Sequence, residues 1–371
     1  MAIGLDWGTS TVVAARSSDG EDQAKYRLQR NCYIPVDATD DMKNWLRQTK
    51  MNFVEFDDDP KVYVIGEHSM QLGSSLGTEV LRPMAAGVMK GDARATGIMK
   101  AIAQSVLGEP KEENELCVFS VPADPIDDDF KTFYHENITK MGLQQLGWNP
   151  QSINEALAIV YSENPKMETD SGEEAEFTGI GISCGGGMIN ICVAFRGLPT
   201  ITFSLANAHG MGEGSAGDWI DQQIFKQFKD QFGTIGRVTL YKEQFADFTK
   251  DPLKDPEYVA EVAEKARVNN GQTGWHMEAL ASIKIFYEAL LDYVIMKTAA
   301  QFEEKRPTLE GALQVVVGGG TSSPPGFELL LEERLKRHSL PFAVRGVSKS
   351  GNPIRTVARG ALVAGEVGFG G

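Results

Sequence analysis

The sequence predicts an α/β fold made of two related domains that face each other across a cleft. Two observations predict it. A strand, glycine turn and strand near the N-terminus recur roughly half the chain later, and strands alternate with helices after each copy. The chain has 371 residues, of which 42% are hydrophobic and 23% are charged. This composition is typical of a globular protein with one large or two medium domains.

The first turn begins at Gly4 and reads Gly-Leu-Asp-Trp-Gly-Thr-Ser-Thr. Apolar runs on both sides of it predict two adjacent strands. Gly8, Thr9 and Ser10 would let backbone N–H groups face an anion without a bulky side chain in the way. Asp6 lies at the mouth of the turn, where it would hold a hydrated Mg²⁺. A plain hairpin would give the same pattern, so the argument depends on its recurrence.

The second copy begins at Gly179, and Gly185, Gly186 and Gly187 occupy its turn. A third strand follows each copy after a short polar turn. Two glycine turns that face each other would clamp a polyphosphate from both sides. We therefore expect a nucleotide between two related domains.

Charge and composition restrict the function further. The net charge of −15 argues against binding nucleic acid or anionic lipid by bulk electrostatics. No apolar run reaches the length of about 18 residues needed to span a membrane, and we expect neither a signal peptide nor an amphipathic anchor. The four cysteines lack metal-ligand spacing, so we expect buried free thiols in a cytoplasmic protein.

The rest of the first half predicts one α/β domain. Residues 36–80 form a small insertion with a strand and a short helix. Apolar residues every four positions from Ile98 to Val106 predict a helix that Asp92 caps. A buried strand at 116–122 follows.

A helix with Phe130 and Phe133 on its apolar side completes this domain. Residues 151–160 predict the crossover into the second domain. The glycine-rich loop 210–218, which contains Gly214, is either another phosphate site or a flexible linker. Residues 234–257 suit a loop or a peripheral insertion.

The second half ends in two helices and a further glycine turn. Residues 257–267 and Trp275–Lys305 have helical patterns. A buried strand then runs into Gly318, Gly319 and Gly320, where an adenine or ribose would lie flat on the backbone; a strand-to-helix turn without a ligand is the alternative. The small-residue helix at 355–365 suits a crossing between the domains.

These elements stand in a fixed order: first phosphate turn, crossover helix, second phosphate turn, base-binding turn and second crossover helix. That order resembles the actin, heat-shock-chaperone and sugar-kinase ATPase superfamily over nearly the whole chain. It looks closest to bacterial actins of the MreB type. The segments that are similar to motifs of that branch are residues 82–88, 121–123, 154–158, 264–267 and 357–360.

The resemblance implies an actin-like fold, in which two ribonuclease-H-like βββαβα domains enclose Mg-ATP. It implies that Asp6 holds Mg²⁺ through water and that Glu155 orients or activates the attacking water. The residues implied in binding ATP are Gly8, Thr9 and Ser10, then Gly185, Gly186 and Gly187, and around the adenosine Glu264, Arg267, Gly318, Gly319 and Gly320, with Gly214 as a further candidate. The first domain would comprise residues 1–148 and 351–371 with its insertion at about 36–80. The second would comprise residues 149–350 with its insertion at about 234–270.

Two departures from the family pattern bear on activity. Ser183 and Met188 stand where the family's second phosphate turn usually has Asp and Thr. Loss of one preorganised catalytic group commonly lowers the rate by a factor of about 10²–10³, so the sequence predicts slow hydrolysis and a gain when Ser183 is replaced by Asp. Met70 stands about where chaperones place a lysine, and we expect no substrate-binding domain after the second crossover.

Three functions fit this pattern. A cytoskeletal filament that self-associates head to tail is favoured by the MreB-like segments. A nucleotide-gated binding or scaffold module that does not polymerise is favoured by the missing Asp. A small-molecule kinase would need a base for a substrate hydroxyl, and only Glu155 is a candidate. The sequence identifies no polymer interface, cargo or adaptor protein.

Overall fold

The computed structural model describes residues 2–18, 21–57, 59–89, 93–164, 167–168, 174–207, 216–266, 268, 274–309 and 311–368. Its strands are β1 (Ala2–Trp7), β2 (Thr11–Ser18), β3 (Glu21–Arg30), β4 (Tyr33–Asp37), β5 (Phe53–Glu55), β6 (Lys61–Ile65), β7 (Met84–Ala85), β8 (Val88–Met89), β9 (Leu116–Val121), β10 (Asn149–Asn154), β11 (Met167–Glu168), β12 (Glu174–Ala175), β13 (Gly179–Cys184), β14 (Ile189–Phe195), β15 (Leu198–Leu205), β16 (Leu313–Gly318) and β17 (Val344–Lys349).

Its helices are α1 (Asp40–Gln48), α2 (Glu67–Leu76), α3 (Ala93–Leu107), α4 (Phe133–Gln145), α5 (Glu155–Glu163), α6 (Ala216–Gln227), α7 (Lys229–Phe232), α8 (Ile235–Phe245), α9 (Pro256–Ala266), α10 (Trp275–Lys305), α11 (Phe327–Arg337) and α12 (Thr356–Val367). A single 3₁₀ turn covers Gly320–Ser322.

Two five-stranded sheets share one design. The first has the order β10-β9-β1-β2-β3 and the second the order β15-β14-β13-β16-β17. In each, the strand before a glycine turn pairs antiparallel with the strand after it and parallel with a later strand. The repeated meander predicted from the sequence is therefore present. The first sheet continues to β10, so it extends beyond residue 148, where the sequence analysis ends the first domain.

Helices α5 and α12 lie between the two sheets. One buried cluster combines Val118 of the first sheet, Val316 of the second, and apolar residues of both helices. Small residues make this close packing possible. A Cβ built on Gly360 of α12 would lie 1.7 Å from the carbonyl oxygen of Ala158 in α5, a distance that no side chain can occupy.

Each domain carries an insertion at the same end of the molecule. The first insertion is a small sheet in the order β4-β6-β5 with α1 and α2, and the second contains α8. The sequence analysis did not predict α1, and it assigned the segment of α8 to a loop or an insertion. Buried Val238, Tyr241 and Phe245 explain α8, because they place an apolar face on the second domain.

Other details correct or support the sequence analysis. The buried face of α4 is His135, Thr139 and Leu143, whereas Phe133 is 72% exposed, so the predicted Phe130 and Phe133 face is wrong. The N-cap candidate Asp92 lies outside the described residues. All four cysteines are buried and free, as predicted. No helix in the described part of the chain is both long enough and apolar enough to cross a membrane.

Candidate functional site

The first glycine turn joins β1 to β2 and is held from behind by Asn31. The Asn31 amide donates to the carbonyl oxygen of Gly8 at 2.8 Å, and its backbone N–H donates to that of Ser10 at 2.9 Å. Asn31 is fully buried, so these bonds are shielded from water. These two bonds fix the carbonyl groups of Gly8 and Ser10, and the first of them orients the peptide that carries the Thr9 N–H.

The second turn joins β13 to β14 and is closed by its own backbone. The N–H of Gly185 donates to the carbonyl oxygen of Met188 at 3.0 Å. The carbonyl oxygen of Gly185 accepts from the Thr321 hydroxyl at 2.8 Å, which connects this turn to the predicted base-binding turn. The N–H of Asp218, at the start of α6, donates to the carbonyl oxygen of Gly186 at 2.9 Å.

The two turns touch each other across the cleft. A Cβ built on Gly186 would lie 2.3 Å from the Ser10 hydroxyl, and one built on Gly187 would lie 2.4 Å from the Thr9 hydroxyl. Within the described residues, the backbone N–H groups of these glycines, Thr9 and Ser10 donate to no protein acceptor. Peptide N–H groups without protein acceptors are typical of anion-binding turns, so both turns are suited to contact the phosphates of a nucleotide.

Two carboxyl groups lie close to these turns. Burial raises the pKa of Asp6 to about 7, although the Ser120 hydroxyl, which donates to Asp6 at 3.0 Å, lowers it. Burial, followed by the negative charge of Asp6, raises the pKa of Glu155 to about 8. Two carboxyl groups that disfavour each other's ionisation are suited to a shared cation.

Glu155 is the first residue of α5 and is held by the second sheet. Its Oε2 accepts from the Asn190 amide at 2.9 Å and from the Ser183 hydroxyl at 3.3 Å. Asn190 also accepts from the backbone N–H of Ala123 at 2.9 Å, so one buried amide connects Glu155 to the loop after β9. Ser183 thus acts as a hydrogen-bond donor to Glu155.

The donor set fits a hydrated Mg²⁺. The described residues contain no group of three or more His, Cys, Asp or Glu side chains arranged to hold a metal ion. Mg²⁺ usually retains several waters and needs only one or two carboxylates in addition to phosphate oxygens. Asp6 would supply such a carboxylate, and a cation beside it would offset the negative charge that, after burial, raises the pKa of Glu155.

The predicted adenosine residues divide into three groups. A Cβ on Gly318 would lie 2.5 Å from Ile159, and one on Gly319 would lie 2.5 Å from the Cys184 carbonyl oxygen, so both glycines permit close packing of the protein itself. A Cβ on Gly320 would meet nothing within 4 Å, which leaves that side open to a ligand. Glu264 is exposed on α9, and Arg267 and Gly214 lie outside the described residues.

Sequence reasoning missed Asn31, Asn190 and Arg82 as candidate site residues. Arg82 bonds Asp218 across the cleft at 2.5 Å, beside the contact of the two turns. Asparagines that follow or precede short strands are too common to single out without a structure. The only signal for Arg82 is its place in the 82–88 segment, which the sequence analysis used for resemblance alone.

The model of a protein family described as Volactin matches residues 1–365. A search of curated proteins gives no match. Solved structures with the same fold include the "MamK double helical filament", 18% identical with a TM-score of 0.66, where the match covers 98% of each chain.

A non-polymerising MamK mutant bound to AMPPNP is 17% identical with a TM-score of 0.53, again over 98% of each chain. The ethanolamine utilization protein EutJ from Carboxydothermus hydrogenoformans is 14% identical with a TM-score of 0.52, and the match covers 97% of this chain and 89% of that chain. These neighbours confirm the predicted actin-like fold.

Proposed function

The chain belongs to the Volactin family, and from its fold and its cleft we propose that it is an actin-like protein that binds Mg-ATP, hydrolyses it slowly and assembles into filaments. We place it in the cytoplasm. The observation that carries the proposal is the contact of two glycine turns in which the N–H groups of Thr9, Ser10, Gly186 and Gly187 have no acceptor among the described residues, close to two carboxyl groups with raised pKa values.

Nucleotide binding would use the turns from both sides. The N–H groups of the first and second turns would donate to the β- and γ-phosphates, and Gly320 would leave room for the adenosine. Mg²⁺ would neutralise phosphate charge and be held through water by Asp6. Glycine is required at 186 and 187 because a Cβ at either place would collide with a hydroxyl group of the first turn.

Glu155 would orient the attacking water. Ser183 and Asn190 both donate to Oε2, and Oε1 has no hydrogen-bond partner among the described residues, which leaves it available to water. In the nucleotide-free chain, burial and the charge of Asp6 raise the pKa of Glu155, which disfavours the ionised form that would accept the proton of water. Slow hydrolysis follows, because Ser183 offers no second carboxylate to share the task.

Filament assembly rests on the fold and its neighbours. One structural neighbour is a double helical filament, and another is a non-polymerising mutant of the same protein. A head-to-tail contact between identical chains produces a filament when its rotation does not close a ring. A nucleotide that bridges two domains would set their relative orientation and hence the fit between successive subunits.

The test is high-speed pelleting with ATP, with ADP and without nucleotide, combined with electron microscopy and phosphate release. We expect filaments with ATP and phosphate release much slower than assembly. The matched variants are Gly187→Ala, whose Cβ would collide with the Thr9 hydroxyl, and Gly142→Ala, whose Cβ would meet nothing within 4 Å. Protein that binds ATP but stays soluble across micromolar concentrations would overturn the filament.

That outcome would favour a nucleotide-gated binding module. Ser183 in place of a carboxylate supports this second function, because a switch needs binding and domain movement but no rapid turnover. Measuring the binding of ATP and of ADP, followed by a search for a partner that prefers one nucleotide state, would then test this second function.

A further inference from the structure

A set of polar contacts joins the two domains at the mouth of the cleft. Arg30 of β3 bonds Glu243 of α8 through both carboxylate oxygens. Arg237 donates to the carbonyl oxygen of Ser74 at 3.1 Å. The Arg82–Asp218 pair differs from these contacts because it lies deeper, next to the glycine turns.

Three distances locate this pair. Arg82 Nη1 lies 2.5 Å from Asp218 Oδ1. The same oxygen would lie 3.1 Å from a Cβ on Gly186, and the Ser10 hydroxyl would lie 2.3 Å from that Cβ. Ser10, Arg82 and Asp218 also line one cavity of about 330 Å³ between the domains. The guanidinium is thus a neighbour of both phosphate turns.

Arg82 is the cation in this cavity that is suited to exchange partners. The cavity is also lined by Arg30, but both oxygens of Glu243 hold that guanidinium at the mouth. Lys242 is nearby but buried, and it is bound to Asp221 at 2.5 Å and to the Gly217 carbonyl oxygen at 3.0 Å. Among the described residues Arg82 forms an ion pair with Asp218 alone, and its side chain is 25% exposed.

We propose that Arg82 distinguishes a nucleoside triphosphate from a diphosphate by exchanging Asp218 for the terminal phosphate. This inference rests on the proposed nucleotide site. A phosphate carries more charge than a carboxylate and accepts in the same forked geometry. With a diphosphate, Arg82 stays on Asp218. With a triphosphate, Asp218 is released, and the bond between the domains passes through the nucleotide.

The two partners of the pair therefore predict opposite effects. Arg82→Gln removes the donor to the terminal phosphate and should weaken triphosphate binding by about 10–100-fold, with little effect on the diphosphate. Asp218→Asn removes the competing charge and should strengthen triphosphate binding by about 3–10-fold. The backbone N–H of Asp218, which bonds Gly186, is retained in that variant.

The experiment is calorimetric titration of the full chain with AMPPNP and with ADP, each with Mg²⁺. Wild type, Arg82→Gln, Asp218→Asn and the control Arg30→Gln are compared, and denaturation midpoints establish that each variant is folded. The quantity compared is the dissociation constant of ADP divided by that of AMPPNP. We expect this ratio to fall for Arg82→Gln, to rise for Asp218→Asn and to stay unchanged for Arg30→Gln.

Two outcomes overturn the inference. Arg82→Gln weakening both ligands equally would mean that the pair only closes the cleft, and an unchanged ratio in both pair variants would mean that Arg82 does not contact the nucleotide. Wild-type protein that binds neither ligand would refute the proposed function instead, and with it this inference.

Discussion

The pKa of Glu155 makes the stability of the nucleotide-free protein depend on pH in an unusual direction. Its carboxyl group has a pKa of about 8 in the folded chain against 4.5 ordinarily. The unfolded chain therefore releases this proton at lower pH than the folded chain does. The free energy of unfolding is highest below about pH 4.5 for this group and falls as pH rises towards 8.

The expected loss follows from the size of the shift. One pKa unit corresponds to about 1.4 kcal/mol, so the full shift of Glu155 would correspond to about 5 kcal/mol. Glu155 is partly exposed to the cleft, and solvent screens part of the penalty. We expect wild-type protein to lose about 2–3 kcal/mol through this residue between pH 5 and pH 8.

Guanidinium denaturation at these two pH values, without nucleotide or Mg²⁺, measures the loss. Glu155→Gln cannot ionise, so the difference between the two pH values should shrink by about 2–3 kcal/mol. Glu278→Gln, at an exposed position of α10, is the matched control and should behave like wild type. A Glu155→Gln protein with the wild-type pH dependence would refute the reasoning.

Three further predictions concern the turns and the domain crossing. Gly187→Ala should weaken ATP binding at least about 10-fold in a calorimetric titration, because its Cβ would collide with the Thr9 hydroxyl of the first turn. The control Gly142→Ala should bind ATP normally and unfold at an equal or slightly higher denaturant concentration. Gly360→Ala should lower the free energy of unfolding by about 3 kcal/mol or more, since its Cβ would overlap the backbone of α5; wild-type stability would contradict the tight crossing. Ser183→Asp should destabilise the nucleotide-free protein by adding charge beside Glu155, yet raise phosphate release with Mg-ATP by about 10²–10³-fold; unchanged release would exclude a catalytic role for this position.

The sequence was sufficient for features that depend on local order. Both glycine turns were predicted because strand, turn and strand are adjacent in the chain, and the structure pairs Asp6 with Val13 and Ser183 with Asn190 across them. The long helix Trp275–Lys305 was predicted from its apolar spacing.

The sequence was insufficient for features that depend on distant partners. Asn190 reaches the backbone of Ala123, 67 positions away, and Arg82 reaches Asp218, 136 positions away. No local pattern marks such contacts. The packing around the turn at 318–320 was also not predictable: a Cβ on Gly318 would meet the side chains of Ile159 and Thr356, and one on Gly319 would meet the backbone of Cys184.

The crossing of α5 and α12 has a mechanical consequence. These helices link the two sheets and meet at Gly360, where there is no room for sliding. A relative rotation of the two domains would therefore pivot about this crossing. Such a rotation would move α2 of the first domain relative to α8 of the second, whose Arg237 donates to the Ser74 carbonyl oxygen of α2. A nucleotide that moves the phosphate turns apart would thus also strain the contacts that join the domains elsewhere, the Arg82–Asp218 pair and the Arg237 bond to Ser74.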